Sequence, residues 1–357
     1  MKMIKAGIIG ATGMVGQRFI KLLENHPFFE VRVLAASKNS AGKRYEEAVA
    51  NRWKMDGDIP AYVRDLTVLD VRQIDEIAAQ VDMVFSAVEM SKEEIKAIEE
   101  DYAKAEVVVV SNNSAHRWTP DVPMVVPEIN PEHLAVLDAQ KKRLGTKRGY
   151  IVVKPNCSIQ SYAPALYALR AFEPYEVVAS TYQAISGAGK TFETWPEMVD
   201  NVIPYIGGEE EKSEQEPLRL FGSVQDGKIV KAQEPVITAH CIRVPVSAGH
   251  FASVFVKFRK KPTKEQILEA WRNFKGEPQA YDLPHAPEHY IHYFEDNDRP
   301  QAKMDRDMEG GMAVSIGRLA EDTVFDYKFV GLSHNTIRGA AGGAVLIAEL
   351  LAAKDMI

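Results

Sequence analysis

Over the first 150 residues, short apolar runs alternate with longer stretches whose apolar positions recur every three or four residues. KAGIIG (5–10) predicts a strand, MVGQRFIKLLENH (14–26) a helix closed by Pro27, and VRVLAAS (31–37) a second strand. VDMVFSAV (81–88) and VVVVSNN (107–113) predict strands on either side of a helix, SKEEIKAIEEDYAKA (91–105), that Ser91 can cap. MVVPEIN (124–130) and GYIVVKP (149–155) read as further strands. Apolar strands alternating with helices predict a parallel sheet covered on both faces.

After Cys157 the texture changes. SIQSYAPALYALRAF predicts a helix, EVVASTYQAIS (176–186) a strand, and residues 191–220 a helical region. Longer alternating runs follow, at ITAHCIRVPV, GHFASVFVKF, AVSIGRL and TVFDYKFVG, and predict a mixed or antiparallel sheet with helices on one face. The Ala-rich run NTIRGAAGGAVLIAELLAAKDM (335–356) predicts an apolar helix that must pack back against the first domain. The expected organisation is an α/β, Rossmann-like domain over 1–155 and 333–357, with an α+β domain of mixed sheet over 156–332.

Composition narrows the function. A net charge of −7 leaves no basic excess for a general nucleic-acid binder. Two cysteines cannot build a disulfide framework, which suits a cytoplasmic setting. The apolar start is too short to span a membrane.

Gly10, Gly13 and Gly16 in GATGMVG follow the first strand and open the first helix. Glycines there let backbone amides approach a pyrophosphate at a helix N-terminus. The second strand ends in AASKNSAGK, where Ser37, Lys38, Ser40 and Lys43 stand instead of the acid that binds a ribose 2′-hydroxyl, so NADP is expected. Cys157 in KPNCSIQ sits where a strand gives way to a helix, a place that favours a thiolate. On position alone it is either a nucleophile or a buried structural thiol. His250, seven residues after Arg243 in RVPVSAGH, pairs a proton-moving imidazole with a guanidinium fork for a carboxylate. His285, His289 and His292 have spacings that superficially suit a metal, but with a proline preceding them and no helical frame, no metal is expected. The run GGEEEKSEQE reads as a solvated helix face.

With these pieces in order the chain resembles the aspartate-semialdehyde dehydrogenases of the archaeal and fungal type. The resemblance rests on GATGMVG, AASKNSAGKRY, VDMVFSAV, SNNSAHR, VPMVVPEIN, KPNCS, QAISGAGK, GGEEEK, RVPVSAGH and NTIRGAAGG, in the family's order from end to end. It implies NADPH-dependent reductive dephosphorylation of L-aspartyl 4-phosphate to L-aspartate 4-semialdehyde through a cysteine thioester. Cys157 is then the nucleophile and His250 the proton mover, with Asn156 shaping the oxyanion site and Gln183 orienting the acyl group. Arg243 is implied for the substrate α-carboxylate, Glu209 for its α-ammonium, and Arg117 and Lys212 for phosphate. Thr12, Gly13, Met14 and Val15 are implied for the pyrophosphate and Ser37 and Ser40 for the 2′-phosphate. Ser86, Gly187 and Asn335 are implied near the nicotinamide half. A homodimer or homotetramer acting on small molecules follows from the same resemblance. The sequence departs from it at SAVE (86–89), which lacks a proline, and at Ile159, where many relatives carry threonine. A malonyl-CoA reductase on the same scaffold, and a cofactor-sensing protein without chemistry, remain the alternatives.

Overall fold

The structure is a computed structural model and describes residues 3–357. Its first sheet is formed by β1 (Ile4–Ile9), β2 (Phe29–Ala36), β3 (Leu69–Asp70), β4 (Met83–Ser86), β5 (Val108–Ser111) and β6 (Tyr150–Val153). All pairings in it are parallel, and the spatial order is β3-β2-β1-β4-β5-β6. The order reverses between β1 and β4, and the crevice beyond those two carboxyl ends is where doubly wound sheets take ligands. Every residue of β4, β5 and β6 is buried, which is why these strands are so uniformly apolar.

The second sheet contains β7 (Pro174–Gln183), β10 (Val236–Arg243), β11 (His250–Phe258), β12 (Ile291–Phe294), β13 (Val314–Glu321) and β14 (Tyr327–Ser333). A separate hairpin, β8 (Ser223–Gln225) with β9 (Lys228–Val230), stands outside it. The order β10-β7-β11-β14-β13-β12 is mixed: β7 and β10 are parallel, as are β12 and β13, and the other pairs are antiparallel. In β10 the odd-numbered positions are buried and the even-numbered ones exposed or half-buried, so one face is packed and the other open.

The C-terminal helix, Gly342–Ala353, is buried everywhere except Ala353 and packs against the helix Met14–Leu22 and β5. Its one charged residue, Glu349, is held from two sides. His26 Nε2 lies 2.8 Å from Glu349 Oε1, and the His285 backbone N–H donates to Oε2 at 3.0 Å. Ser91 caps the helix Lys92–Lys104 as expected, its hydroxyl accepting the Glu94 N–H while Glu94 accepts the Ser91 N–H.

Four local expectations are corrected. The first helix ends at Leu22, well before Pro27, because the chain turns through Asn25 at φ 56°. MVVPEIN is a turn rather than a strand: Asn130 donates to the Met124 carbonyl and accepts the Val126 N–H, while Pro127 has no N–H for a ladder. Between 191 and 220 the only α-helix is Glu209–Leu220, with Pro196, Pro204, Gly207 and Gly208 interrupting what precedes it. After Cys157 the chain makes a short 3-10 turn, Ser158–Ser161, breaks at Tyr162 (φ −142°), and only then forms the helix Ala163–Ala168. His285 and His292 are engaged by different carboxylates, Glu349 and Glu309. Among the described residues no helix is long and apolar enough to cross a membrane.

Candidate active site

The glycine turn is built by close packing. A side chain at Gly10, where φ is +87°, would put Cβ 2.2 Å from the Ala87 carbonyl, and one at Gly16 would put Cβ 2.3 Å from the Gly10 carbonyl. Gly10 and Gly16 therefore hold β1, β4 and the helix together. Gly13 faces open space, with nothing nearer than 3.5 Å to an added Cβ, and it lines a cavity with Met14 and Val15. A neighbouring cavity of about 200 Å³ is lined by Gly10, Thr12, Ser37 and Arg52. Ser40 does not line it: the residue is buried, and its hydroxyl accepts from the Arg52 guanidinium at 3.4 Å. A dinucleotide fits this arrangement of open backbone, helix N-terminus and cationic pocket. Arg52 had no signal in the sequence, since it lies beyond the loop that follows β2.

The expectation for Ser86 is corrected. Its hydroxyl donates to buried Glu99 at 2.6 Å, below the site, and Ala87, Val88 and Glu89 line the cavity instead.

The main cavity, about 470 Å³, lies where the glycine turn, the end of β6, the end of β7 and the helix Glu209–Leu220 meet. It brings together Arg117, Asn156, Cys157, Gln183, Gly187, Glu209, Lys212, Arg243 and Asn335 from distant parts of the chain. Arg117 is anchored by its Nε on the Lys154 carbonyl at 3.0 Å and by Nη1 on Glu216 at 2.9 Å. Glu216 also accepts the Asn156 N–H. Arg243 donates to the Ala184 carbonyl at 2.7 Å. Asn335 accepts the Gly249 N–H and donates to Ser186.

Glu209 is the hub of the polar wall. Lys212 donates to it at 2.7 Å, Gln183 at 3.3 Å, and the Asn156 amide at 3.0 Å to each of its oxygens. Burial pushes the Glu209 carboxyl up, but Lys212 and the amide donors outweigh it and hold the group below its ordinary value. The Asn156 amide is thus committed to Glu209, and its Oδ1 accepts from the Ser158 N–H and hydroxyl. That geometry does not fit the oxyanion role expected for Asn156.

Cys157 is half-buried at the cavity floor, and Gly339 leaves it room, since a Cβ at Gly339 would lie 2.7 Å from the Cys157 Cβ. The thiol's pKa is raised rather than lowered. Burial is the main cause and Glu209 adds to it, against the cations Lys154, Arg117 and Arg243. The short 3-10 turn supplies too little aligned backbone to reverse this. Lys154, which no sequence pattern singled out, lines the same cavity and is brought down to about 7, chiefly by burial and by Arg117.

His250 is fully buried behind Gly187. Its Nδ1 accepts the Ala184 N–H at 3.0 Å, so the neutral ring carries its proton on Nε2, a buried atom with no protein partner. Burial, with Arg243 and His334 nearby, brings its pKa down to about 3. A Cβ on Gly187 would sit 3.0 Å from His250 Nε2 and 3.1 Å from Arg243 Nη1, so the bare glycine is the thin wall between imidazole and cavity.

A dinucleotide cradle opening onto a polar cavity defines the class as a cofactor-dependent enzyme. Comparison with known proteins agrees. Residues 5–137 match the family model described as semialdehyde dehydrogenase, NAD binding domain, and residues 164–338 match semialdehyde dehydrogenase, dimerisation domain. The chain is 44% identical to the aspartate-semialdehyde dehydrogenase of Methanothermobacter thermautotrophicus, over 98% of this chain and 99% of that one. It is 41% identical to that of Schizosaccharomyces pombe over the whole of both chains. A crystal structure of aspartate semialdehyde dehydrogenase with NADP from Candida albicans superposes with a TM-score of 0.90, at 38% identity and complete coverage of both chains. The chain belongs to the aspartate-semialdehyde dehydrogenases, oxidoreductases of the semialdehyde dehydrogenase family.

Proposed function

We propose that this protein reduces L-aspartyl 4-phosphate to L-aspartate 4-semialdehyde with NADPH, releasing phosphate. One observation carries the reading: a single cavity in a chain of this family gathers Cys157, Arg243 and the Glu209–Lys212 pair beside the glycine turn. In this reading Cys157 attacks the acyl carbon and carries the acyl group as a thioester. Arg243 holds the α-carboxylate through its planar fork, and Glu209, kept ionised by its donors, faces the α-ammonium. Arg117 and Lys212 hold the phosphate. Gln183 orients the acyl group. His250, with its proton on Nε2, donates toward the oxyanion that forms when the thioester is reduced. The nicotinamide cofactor, when bound, supplies the hydride. Ser37 and Arg52, the latter bonded to Ser40, support a preference for the 2′-phosphate, expected as a kcat/KM for NADP at least about tenfold above that for NAD, a gap of about 1.4 kcal/mol.

A malonyl-CoA reductase is not favoured, since it has no use for a carboxylate tuned to meet an ammonium, and the relatives above carry the aspartate name. The test is phosphate-dependent oxidation of aspartate semialdehyde with NADP, run beside malonyl-CoA reduction. Turnover of the first alone is expected, and turnover of the second alone overturns the reading. Cys157→Ser should bind NADP as the parent does and lose at least about 1,000-fold in kcat, with no acyl adduct by mass spectrometry.

The open face of the second sheet, with Tyr182 at 38% and Val236 at 63% exposure, supports a homodimer formed there. Light scattering should give twice the 39.8 kDa chain mass, or four times it for a pair of dimers. Two free cysteines suit a reducing, cytoplasmic setting.

A further inference from the structure

The reaction proposed above gives Arg18 no task, yet the residue lines the cavity that holds Cys157, Asn335 and Thr336. It stands in the second turn of the helix Met14–Leu22, five residues after Gly13. Gly13 lines both cavities, whereas Arg18 is absent from the wall of the neighbouring one around Ser37 and Arg52. The glycine turn is thus the boundary, and Arg18 lies on its Cys157 side. Its Nε is buried and has no hydrogen-bond partner among the described residues. No carboxylate oxygen among them lies within 4.0 Å of the guanidinium, and Asp56 and Asp307 act on it only from beyond that distance. Asp307 is engaged elsewhere, 3.5 Å from Arg306 Nε and 3.6 Å from His334 Nε2. Burial works against the charge of Arg18 more than these two carboxylates support it. A guanidinium whose donors find no acceptor in the protein is built for one that arrives with a ligand. The helix is equally unmet at its start, where no side chain caps it and the first turn carries no acid. The free amides of that turn favour negative charge, and a side chain one turn along leans back toward them.

We propose that Arg18 is a cofactor-binding residue whose guanidinium holds the phosphate on the nicotinamide side of the dinucleotide's pyrophosphate. The amides of the glycine turn serve the pyrophosphate as a whole. Arg18 adds charge on the Cys157 side alone, and so fixes the half of the cofactor that has to face the thiol. Arginine suits the task, because its planar fork can give two parallel N–H bonds to phosphate oxygens where a lysine offers a point charge. Arg18 and Arg52 then stand on opposite sides of Gly13, one cation for each half of the cofactor.

This inference rests on the proposed use of NADPH, and its test reads binding rather than turnover. The full-length parent, Arg18→Met and Arg18→Lys are titrated with NADPH and with adenosine 2′,5′-bisphosphate, which keeps the adenosine half and lacks the nicotinamide-side phosphate. Arg18→Met retains the apolar stem and loses the charge. Its Kd for NADPH should rise at least about tenfold, the loss of a charge-assisted phosphate contact, while its Kd for the bisphosphate stays within about twofold of the parent's. Arg18→Lys keeps the charge without the fork and should fall between the two. It carries the same comparison if the methionine variant does not fold. Added salt should weaken NADPH binding less in Arg18→Met than in the parent, since the variant has one ion pair fewer to screen. Equal losses for NADPH and the bisphosphate would mean that Arg18 only keeps the glycine turn in shape, and would overturn the proposal. An unchanged Kd for NADPH overturns it too. A loss confined to NADPH but with the parent's salt dependence would put the guanidinium on an uncharged acceptor and overturn the phosphate assignment. A parent that binds NADPH yet turns over no aspartate semialdehyde counts against the proposed reaction, and the two affinities still decide Arg18.

Discussion

At the scale of single residues, the site depends as much on what is missing as on what reacts. Gly187 has no side chain to separate His250 and Arg243 from the cavity, and an alanine there would press on both at 3.0 and 3.1 Å. Gly187→Ala should lower kcat by about tenfold or more, since displacing an aligned donor by a fraction of an ångström costs catalysis directly. Thermal denaturation should shift little by comparison, and an unchanged kcat would mean that His250 does not act through that wall. Which residues the sequence revealed follows from their chemistry. Cys157 and Arg243 belong to types whose reactivity or charge needs a reason, and the structure gathers them in one cavity with Glu209, which only the family resemblance singled out. Lys154 was hidden because a lysine at a strand end is usually a surface residue, and only the fold buries it. Asn156 is adjacent to the nucleophile in sequence, yet its amide is turned to Glu209, which no spacing rule could show.

At the scale of elements, the helix Glu209–Leu220 shows how an acidic segment can mislead. Its run of glutamates suggests a solvated face, but Glu209, Ser213 and Glu216 recur at four- and three-residue spacing and are buried on one side. Glu211 on the other side is exposed. The buried stripe supplies the polar wall of the cavity, because Glu209 gathers Lys212, Asn156 and Gln183 while Glu216 fixes Arg117 and the backbone of the cysteine turn. Glu216→Gln should weaken phosphate binding about tenfold, read as KM for phosphate. It should also destabilise the fold by about 3 kcal/mol, because the Arg117 cation is left buried without its counter-charge. Glu211→Gln should change stability by less than about 0.5 kcal/mol and leave kinetics alone. Equal effects of the two would mean the stripe is not structured around the cavity. The strands β1, β2, β4, β5 and β6 were legible because burial leaves them largely apolar, whereas the two-residue, half-buried β3 and the irregular stretch from 191 to 208 have no period to read.

At the scale of the whole molecule, two buried ionic clusters fasten the C-terminal segment to both sheets' surroundings. Arg338 donates through Nη1 to Glu128 at 2.8 Å and through Nη2 to the Tyr290 hydroxyl at 2.8 Å, joining residues that are 210 and 48 positions away in the chain. Glu349 collects His26 from the loop after the first helix and His285 from the loop before β12. Both clusters join residues far apart in the chain. Burial alone would raise the Glu349 carboxyl, but the bonds from His26 and His285 hold it below the ordinary 4.5. A carboxylate whose folded value is depressed contributes stability above its unfolded value and loses it as pH falls through the folded one. The contribution of Glu349 is therefore whole at pH 7 and decays only below about 4.5. Glu349→Gln should be less stable than the parent at pH 7, with the difference in melting temperature narrowing as the buffer is taken from pH 5 toward pH 3. A difference that stays constant across that range would show that the loss comes from packing of the glutamine rather than from the ionised carboxylate, and the cluster would then hold the C-terminal helix by shape alone.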